Sequence, residues 1–277
     1  APTQAGSTKS MTVTAMSVPT QPGVREQVSA DEWQTRVDLA ALYRLVAAEG
    51  MTDLAATHIS ARVPGPDDHF LINPYGLMYE EVTASNLVKV DLNGEKVMES
   101  PFPVNPAGFT IHSAVHMARP DVACVVHTHT AAGMAFASVE TEVLPLSQTA
   151  MQFYGRTGFH AWEGISTDLD ERERIVRDLG QNRALILHNH GLLVAGPTIP
   201  ASWVLIFQLE RVCRTQLEAM AAARAMGTDL VLVPVAVAEK TAEGFDQSLR
   251  NAAEGRTNFD WDAHLSALDA EDDSFRH

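Results

Sequence analysis

The sequence predicts an α/β fold in which short, mainly antiparallel strands pack against helices. Short β-like runs alternate with Pro, Gly and Asn turn signals over residues 58–97, a pattern typical of antiparallel strands. Two apolar runs farther along, 122–129 and 184–190, have the composition of buried strands. Helical periodicity lies before, between and after these runs. We therefore expect a single domain over residues 31–277, which no linker divides.

The chain before this domain is expected to be a disordered tail. Residues 1–30 are rich in Ser, Thr, Pro, Gln and Gly, and they offer too little apolar surface to offset the entropy of ordering. The first helix is expected to begin near Ser29, where Ser29 and Glu32 have the spacing of a capping box. Gly50 is expected to end it.

The remaining elements follow from hydrophobic periodicity and from turn residues. In chain order they are strands over 58–63 and 69–73, a hairpin over 87–97, a helix over 109–118, a strand over 122–129, a helix over 168–179, a strand over 184–190 and a long helix over 201–226. The hairpin is expected to turn at Asn93-Gly94, a pair that suits the positive φ angles of a type I′ turn.

Composition and charge exclude several classes of protein. A chain of 277 residues with 45% hydrophobic residues can bury a large core, which excludes collagen and coiled coils. The 20 Lys+Arg and 35 Asp+Glu residues give a net charge of −15, the opposite of a nucleic-acid-binding footprint. Neither a membrane span nor a secretory signal is recognisable. With Cys124 and Cys213 expected as reduced thiols, the sequence predicts a cytoplasmic protein without nucleic-acid or membrane partners.

Histidines at the ends of the two buried strands are the strongest chemical signal. His127 and His129 lie two residues apart on an extended chain, so both imidazoles face one side, roughly 6.5–7 Å apart. His190, at the end of the second buried run, is the candidate third ligand. Three neutral imidazoles with an open position are typical of a catalytic site for one divalent ion, with Fe, Zn and Mn as candidates. The alternative is a chance pair of structural histidines.

Two further histidines could supplement this set. His188 lies two residues before His190 and could face the ion, or it could donate to a backbone carbonyl, which is the preferred interpretation. His112 and His116 lie four residues apart on one helix face. We expect His112 to face the pocket and His116 to be an ordinary helix residue.

The histidine motifs resemble those of the class II aldolase/adducin family. Val-Val-His127-Thr-His129-Thr is similar to the family's first pair of metal ligands, and His190-Gly-Leu-Leu-Val is similar to its third. The stretch 70–90 resembles the adducin head domain. The resemblance implies a three-layer α/β/α fold around a mainly antiparallel sheet. It also implies a homotetramer with small-molecule sites near subunit boundaries.

The chain departs from the aldolases of this family at the acid–base position. Those aldolases carry a Ser-Ser-Glu motif whose Glu lies four residues before the position of His112, where this chain has Gly108. Most of the small residues that hold the substrate phosphate are also replaced, although Ser60 and Arg62 remain as possible anion contacts. The resemblance therefore implies the adducin-head-like branch, which lacks the aldolase glutamate.

The other candidate site residues come mostly from an aromatic stretch, 145–164. Its apolar side chains, with one arginine, suit an aromatic acid, although such aromatics also fill cores and interfaces. The candidate proton-transfer residues are Tyr154, His160 and His112. The candidate ligands for a substrate carboxylate are Arg62 and Arg156.

Decarboxylation is the reaction of this kind that does not need the missing glutamate. A divalent ion can stabilise the charge that develops as CO₂ leaves, and no carboxylate base is needed. We therefore expect a metal-dependent decarboxylase, or an iron-dependent oxidative decarboxylase (an oxygenase), acting on an aromatic or 2-oxo carboxylic acid. A non-catalytic, adducin-like interaction domain is the alternative, and a class II aldolase acting on an aldol substrate is the third.

Overall fold

The computed structural model describes residues 21–65, 68–164 and 170–277. Its strands are β1 (His58–Arg62), β2 (His69–Ile72), β3 (Val88–Asp91), β4 (Cys124–Thr128), β5 (Thr157–His160), β6 (Ala184–Leu187) and β7 (Gly191–Gly196). Its α-helices are α1 (Ala30–Ala48), α2 (Pro106–Ala118), α3 (Ala131–Ala137), α4 (Glu171–Leu179), α5 (Ile199–Met226), α6 (Val235–Ala253) and α7 (Trp261–Glu271). Within the described ranges, no helix has both the length and the apolarity needed to span a bilayer.

One seven-stranded sheet forms the centre of the molecule, in the order β3-β2-β1-β4-β7-β6-β5. Every neighbouring pair is antiparallel except β5 and β6, which are parallel. A parallel pair needs a crossover connection, and α4 lies in the connection between these two strands. The predicted α/β fold with a mainly antiparallel sheet is therefore confirmed.

Helices cover both faces of this sheet. One core cluster joins α1 and α5 to the sheet through residues such as Leu42, Leu205 and Val126. Another joins α2 and α4 to the sheet through residues such as Val115 and Val125. Because successive strand residues point to opposite faces, the neighbours Val125 and Val126 of β4 belong to different cores. The three-layer arrangement follows.

The helix ends obey the capping chemistry in the sequence. The Ser29 hydroxyl accepts a hydrogen bond from the Glu32 amide at 3.1 Å, as predicted for α1, and Gly50 follows this helix with a φ of +64°. Helix α2 begins at Pro106, before the predicted residue 109, because proline is well tolerated in a first helical turn. Helix α5 likewise begins earlier than predicted, where the Thr198 side chain caps it.

The predicted tail, 1–30, extends into the folded body. Its first part, 1–20, lies outside the described residues. Residues 21–29 include a 3-10 turn over Arg25–Gln27, and Val24 is only 1% exposed. The Gln21 amide also donates to the Ser85 hydroxyl at 3.1 Å. The body therefore includes residues that composition alone assigned to the tail.

The helix predicted over 168–179 also begins outside the described residues, which resume at Asp170. The described helix, α4, runs over Glu171–Leu179. Gly180 follows it with a φ of +52°, a conformation that glycine adopts readily.

The turn after β3 differs from the predicted type I′ hairpin. Gly94 has a φ of +91°, but Asn93 does not adopt a positive φ. Instead, the Asp91 carboxylate accepts hydrogen bonds from the amides of Asn93 at 2.8 Å and Glu95 at 3.0 Å. An aspartate that bonds to the backbone beyond it stabilises this kind of turn, and it replaces the expected Asn-Gly geometry.

The strand register gives the sheet two chemically different ends. In the antiparallel pair β1–β4, His58 lies opposite His127, so Arg62 lies at the other end of β1. Strands β5 and β6 run parallel and begin directly after Arg156 and Arg183. We call one end the histidine end, defined by His58, His127 and His160. We call the other the arginine end, defined by Arg62, Arg119, Arg156 and Arg183.

Candidate metal centre

Three imidazoles converge at the histidine end. His127 lies in β4, His129 directly follows that strand, and His190 lies in the turn between β6 and β7. One ring nitrogen from each lies within 4.8 Å of the other two, and the ring centroids are 4.7 to 4.8 Å apart. The structure thus brings together the three predicted ligands.

The tight turn between β6 and β7 brings His190 to the other two. Asn189 has a φ of +58°, and Gly191 packs directly against the backbone of β4. A Cβ at Gly191 would collide with the Thr128 carbonyl oxygen. Glycine is therefore required here for β7 to approach β4 beside the candidate ligands.

Hydrogen bonds to the outer ring nitrogens orient two of the ligands. Nδ1 of His127 donates to the Leu192 carbonyl oxygen at 2.9 Å, and Nδ1 of His129 donates to the Asp53 carboxylate at 2.9 Å. When Nδ1 carries the proton of a neutral imidazole, Nε2 keeps its lone pair. The two Nε2 atoms lie 2.9 Å apart, so a cation between the rings would relieve the repulsion of facing lone pairs. Such oriented histidines are typical of metal sites.

Electrostatics also favours ligand-competent imidazoles. Burial lowers the pKa of His127 well below its ordinary value, and His190, His58 and His129 lower it further. Burial, together with His129 and His160, lowers the pKa of His190 to about 4. Both rings are therefore neutral near pH 7, as metal binding requires. The donor set fits a divalent ion such as Zn²⁺ or Fe²⁺.

A partly exposed aromatic side chain borders the centre. The Trp162 ring lies edge-on to His190, with ring centroids 5.2 Å apart, and Trp162 is 48% exposed. It belongs to the predicted aromatic stretch 145–164, of which Phe159 stacks instead on His188. Trp162 thus offers an apolar wall next to the ligands.

His58 is the site residue that the sequence did not reveal. Its ring centroid lies 5.1 Å from that of His127, and it is 2% exposed. A Cβ at Gly108 would lie 2.6 Å from His58 Cδ2. The imidazole therefore fills the space beside Gly108, the position at which the family resemblance leads us to expect the acid–base glutamate of the aldolases. Only the β1–β4 pairing reveals this neighbour, because nothing near His58 in the sequence indicates it.

A buried hydrogen-bonded chain extends from His58 into the protein. Nδ1 of His58 lies 2.8 Å from Nε2 of His112, whose Nδ1 lies 2.5 Å from the Ser60 hydroxyl. The same hydroxyl lies 2.8 Å from Nε2 of His116. His112 thus reaches the centre through His58 and is not itself one of the three converging ligands. His116, expected to be ordinary, is part of this chain.

Two other predicted histidines have different partners. Nδ1 of His188 donates to the Ala137 carbonyl oxygen at 3.1 Å, which is the preferred alternative of the sequence analysis. Nδ1 of His160 lies 2.7 Å from the Asp178 carboxylate, and its Nε2 lies 3.3 Å from that of Glu171. Both nitrogens of His160 therefore face carboxylates of α4, and the ring joins β5 to that helix.

The remaining predicted residues do not meet the three histidines. Arg156 donates to the Asp246 carboxylate at 2.8 Å and to the carbonyl oxygen of Tyr154 at 3.3 Å, directly before β5 and at the arginine end. Arg62 donates to the Asp68 carboxylate at 3.0 Å at the same end. The reason is strand direction, because each arginine lies at the far end of a strand whose other end carries a histidine.

Comparisons with known proteins agree with this architecture. Residues 37–217 match the family described as the class II aldolase and adducin N-terminal domain. A Pseudomonas aeruginosa protein provisionally named an aldolase class 2 protein is 47% identical over 91% of this chain and 96% of its own length. The structure of an L-fuculose 1-phosphate aldolase from Glaciozyma antarctica is 30% identical, with a TM-score of 0.74, over 91% of this chain and 95% of its own. Rat α-adducin is 42% identical over 68% of this chain, which matches 26% of its length.

Proposed function

Because the chain belongs to the class II aldolase and adducin family, we propose that it is a metal-dependent lyase that breaks a carbon–carbon bond next to a carboxylate and releases CO₂. One observation carries this proposal. Three histidines converge, and next to His127 the ring of His58 lies against Gly108, where the family resemblance leads us to expect the aldolase glutamate. The ligand set is thus complete, while the carboxylate that aldol chemistry uses is absent from this position.

The protein would hold one divalent ion through His127, His129 and His190. Such an ion supplies a Lewis acid that stabilises negative charge developing on a bound carboxylic acid. The Leu192 carbonyl and the Asp53 carboxylate keep two of the imidazoles oriented without rearrangement, which is how preorganised sites avoid reorganisation during reaction.

The residues around the ligands supply the rest of the chemistry. Trp162 shields one side of His190 from water and offers an apolar surface to an aromatic or 2-oxo acid. The carbon that loses CO₂ must take up a proton. Nε2 of His58 could donate it if Nδ1 accepts a proton in the same step from Nε2 of His112, 2.8 Å away, so that His58 stays neutral. The site therefore needs neither Tyr154 nor the predicted arginines for the bond-breaking step.

Iron would extend the same site to oxygen chemistry. With Fe²⁺ as the resident metal, the same three histidines would support an oxidative decarboxylase, with dioxygen as the oxidant. Dioxygen consumption that is stoichiometric with CO₂ release would identify this variant. Zn- or Mn-loaded protein that releases CO₂ without consuming dioxygen would identify the simple decarboxylase.

The test is CO₂ release from a panel of 2-oxo and aromatic carboxylic acids by protein loaded with Fe, Zn or Mn. We expect release that the H127A/H129A variant loses and that the matched control H188A retains, because His188 bonds to Ala137 and lies outside the ligand set. Cleavage of aldols with no CO₂ from any acid in the panel would contradict the proposal.

A class II aldolase is the second candidate, and a specific observation favours it. The Glaciozyma antarctica structure, 30% identical over 91% of this chain, is named an L-fuculose 1-phosphate aldolase. In this reading His58 takes the place of the missing glutamate. Retro-aldol cleavage of phosphorylated and free aldols, lost in H58A, would support it over decarboxylation.

The α-adducin likeness supports a third reading, a non-catalytic interaction domain. In this case the three histidines would not hold a catalytic metal ion. A purified, folded chain that holds no metal after metal-replete expression, and whose partner binding survives H127A/H129A, would favour it.

We also propose that the protein is a homotetramer. Large apolar side chains are exposed between α5 and α6, where Val231 is 89% exposed. The others in this segment and its flanks are Met226, Leu232, Val235 and Val237. Clustered exposed apolar residues commonly mark interfaces. Light scattering coupled to size exclusion tests the assembly, and a monomer at micromolar concentration would contradict it.

A further inference from the structure

A cavity with both charged and apolar lining residues lies at the arginine end of the sheet, away from the candidate ligands. Its volume is about 430 Å³, and the residues that matter for its chemistry are Arg119, Asp121, Arg183, Asp246 and Arg250. It lies between the starts of β4 and β6 and the last turns of α6. Its size falls in the ordinary range of small-molecule pockets, roughly 300 to 1,000 Å³.

The arginines here outnumber the carboxylates. Arg119 and Asp121 form a closed pair at 2.7 to 2.8 Å. Asp246 alone serves both Arg156 and Arg183. The guanidinium of Arg250 donates to the neutral Gln247 amide oxygen at 2.8 Å. Arg156 and Arg183 therefore share one carboxylate, and Arg250 has a neutral partner. Together with the Arg119–Asp121 pair, four arginines accompany two carboxylates, which leaves an excess of two positive charges in a chain whose net charge is −15.

Arg183 is the member of this group that most needs a further partner. Its side chain is 8% exposed, and its Nη1 has no hydrogen-bond partner among the described residues. Burial, together with the charges of Arg156 and Arg250, lowers the pKa of Arg183 to about 10. A buried donor on a charged group is costly when it is left unpaired.

We propose that this cavity binds a small dianion, the phosphate group of a phosphorylated metabolite. A phosphate dianion matches the excess of two charges, and guanidinium groups bind phosphate oxygens with two parallel hydrogen bonds. The cavity also has room for an organic part beyond the phosphate. The site is separate from the three histidines, because it lies at the opposite end of the same strands.

The test is binding of inorganic phosphate and of glycerol phosphate by calorimetry and by thermal shift, against chloride at equal ionic strength. We expect both to bind and to raise the melting temperature of the wild-type chain. R250Q, at an exposed position in the last turns of α6, should weaken phosphate binding about tenfold or more, as should R183Q. R224Q removes the same charge from an exposed position on α5 and should leave binding unchanged.

The H127A/H129A variant excludes phosphate bound at a metal ion, and it should retain the wild-type shift. The proposal is overturned if neither anion binds, if R250Q and R224Q bind equally well, or if binding is lost in H127A/H129A. Binding of inorganic phosphate without glycerol phosphate would contradict the assignment to a phosphorylated metabolite. Because R250Q alone suffices for the comparison, the result does not depend on whether R183Q folds.

Discussion

The two ends of the central sheet are made from the same strands, but their buried basic side chains differ in charge. The buried histidines of one end are neutral, whereas the buried arginine of the other end is charged. At the histidine end, burial lowers the pKa of His58, His112 and His127 well below the ordinary value. These rings are therefore neutral near pH 7. At the arginine end, Arg183 is buried to a similar degree but keeps its charge, because a guanidinium does not deprotonate in proteins.

The difference explains what each end can bind. Neutral imidazoles present lone pairs, so the histidine end attracts a cation. Charged guanidinium groups present only donors, so the arginine end attracts an anion. Strand direction keeps the two chemistries a full strand length apart, as β1 shows with His58 at one end and Arg62 at the other.

The largest expected effect is a loss of folding stability on acidification, caused by the buried histidines. His112 and His116 are buried and neutral, and burial lowers the pKa of His116 to about 3. Below pH 6.5 these histidines bind protons in the unfolded chain but not in the folded chain. The free energy of unfolding therefore falls as the pH falls, by about 1 kcal/mol per pH unit for each such histidine. Urea unfolding of metal-free protein between pH 7.5 and 4.5 measures this slope.

The variant H116Q should reduce that slope by about one histidine's share. R250Q removes no buried histidine and should leave the slope unchanged. A slope that is identical in wild-type protein and H116Q would show that the buried chain carries no such penalty.

A smaller effect concerns the glycine beside His58. G108A would push a Cβ to 2.6 Å from His58 Cδ2, and overpacking of this kind costs about 1 to 3 kcal/mol. H58A should relieve the strain, so G108A in the H58A background should cost much less. Urea unfolding of both single variants and the double variant gives the coupling energy. Additive effects would contradict the placement of His58 beside Gly108.

An effect of similar size concerns the orientation of a candidate ligand. D53N keeps the shape of the side chain but weakens its bond to Nδ1 of His129. Loss of such an orienting carboxylate typically costs 10- to 100-fold in metal affinity, which competition with a chelator measures. D31N, at an exposed position near the start of α1, is the control and should change nothing. An unchanged metal affinity in D53N would show that Asp53 does not orient His129 for metal binding.

The convergence of His127, His129 and His190 could be predicted from sequence because the signals are local. The two-residue spacing of His127 and His129 fixes their common face, and the Asn189–Gly191 turn places His190 at the end of its own strand. The sheet type followed from the same local runs. Each of these inferences needs only a few neighbouring residues and the geometry of an extended chain.

The rest depends on which strands pair and in which direction. His58 could not be identified, because its neighbour His127 becomes visible only through the β1–β4 register. Arg62 and Arg156 were expected to bind substrate, since the sequence does not show that both lie at the far end of their strands. The charge excess around Arg183 was missed for a similar reason, because α6 brings Asp246 and Arg250 to it from a distant part of the chain.

The most direct test of the account is elemental analysis of the purified chain after expression in medium containing Fe, Zn and Mn. We predict about one divalent ion per folded wild-type chain, retained in H188A and lost in H127A/H129A, since three converging imidazoles are typical of such a site. A folded wild-type chain without stoichiometric metal, or an H127A/H129A variant that retains it, would contradict the account.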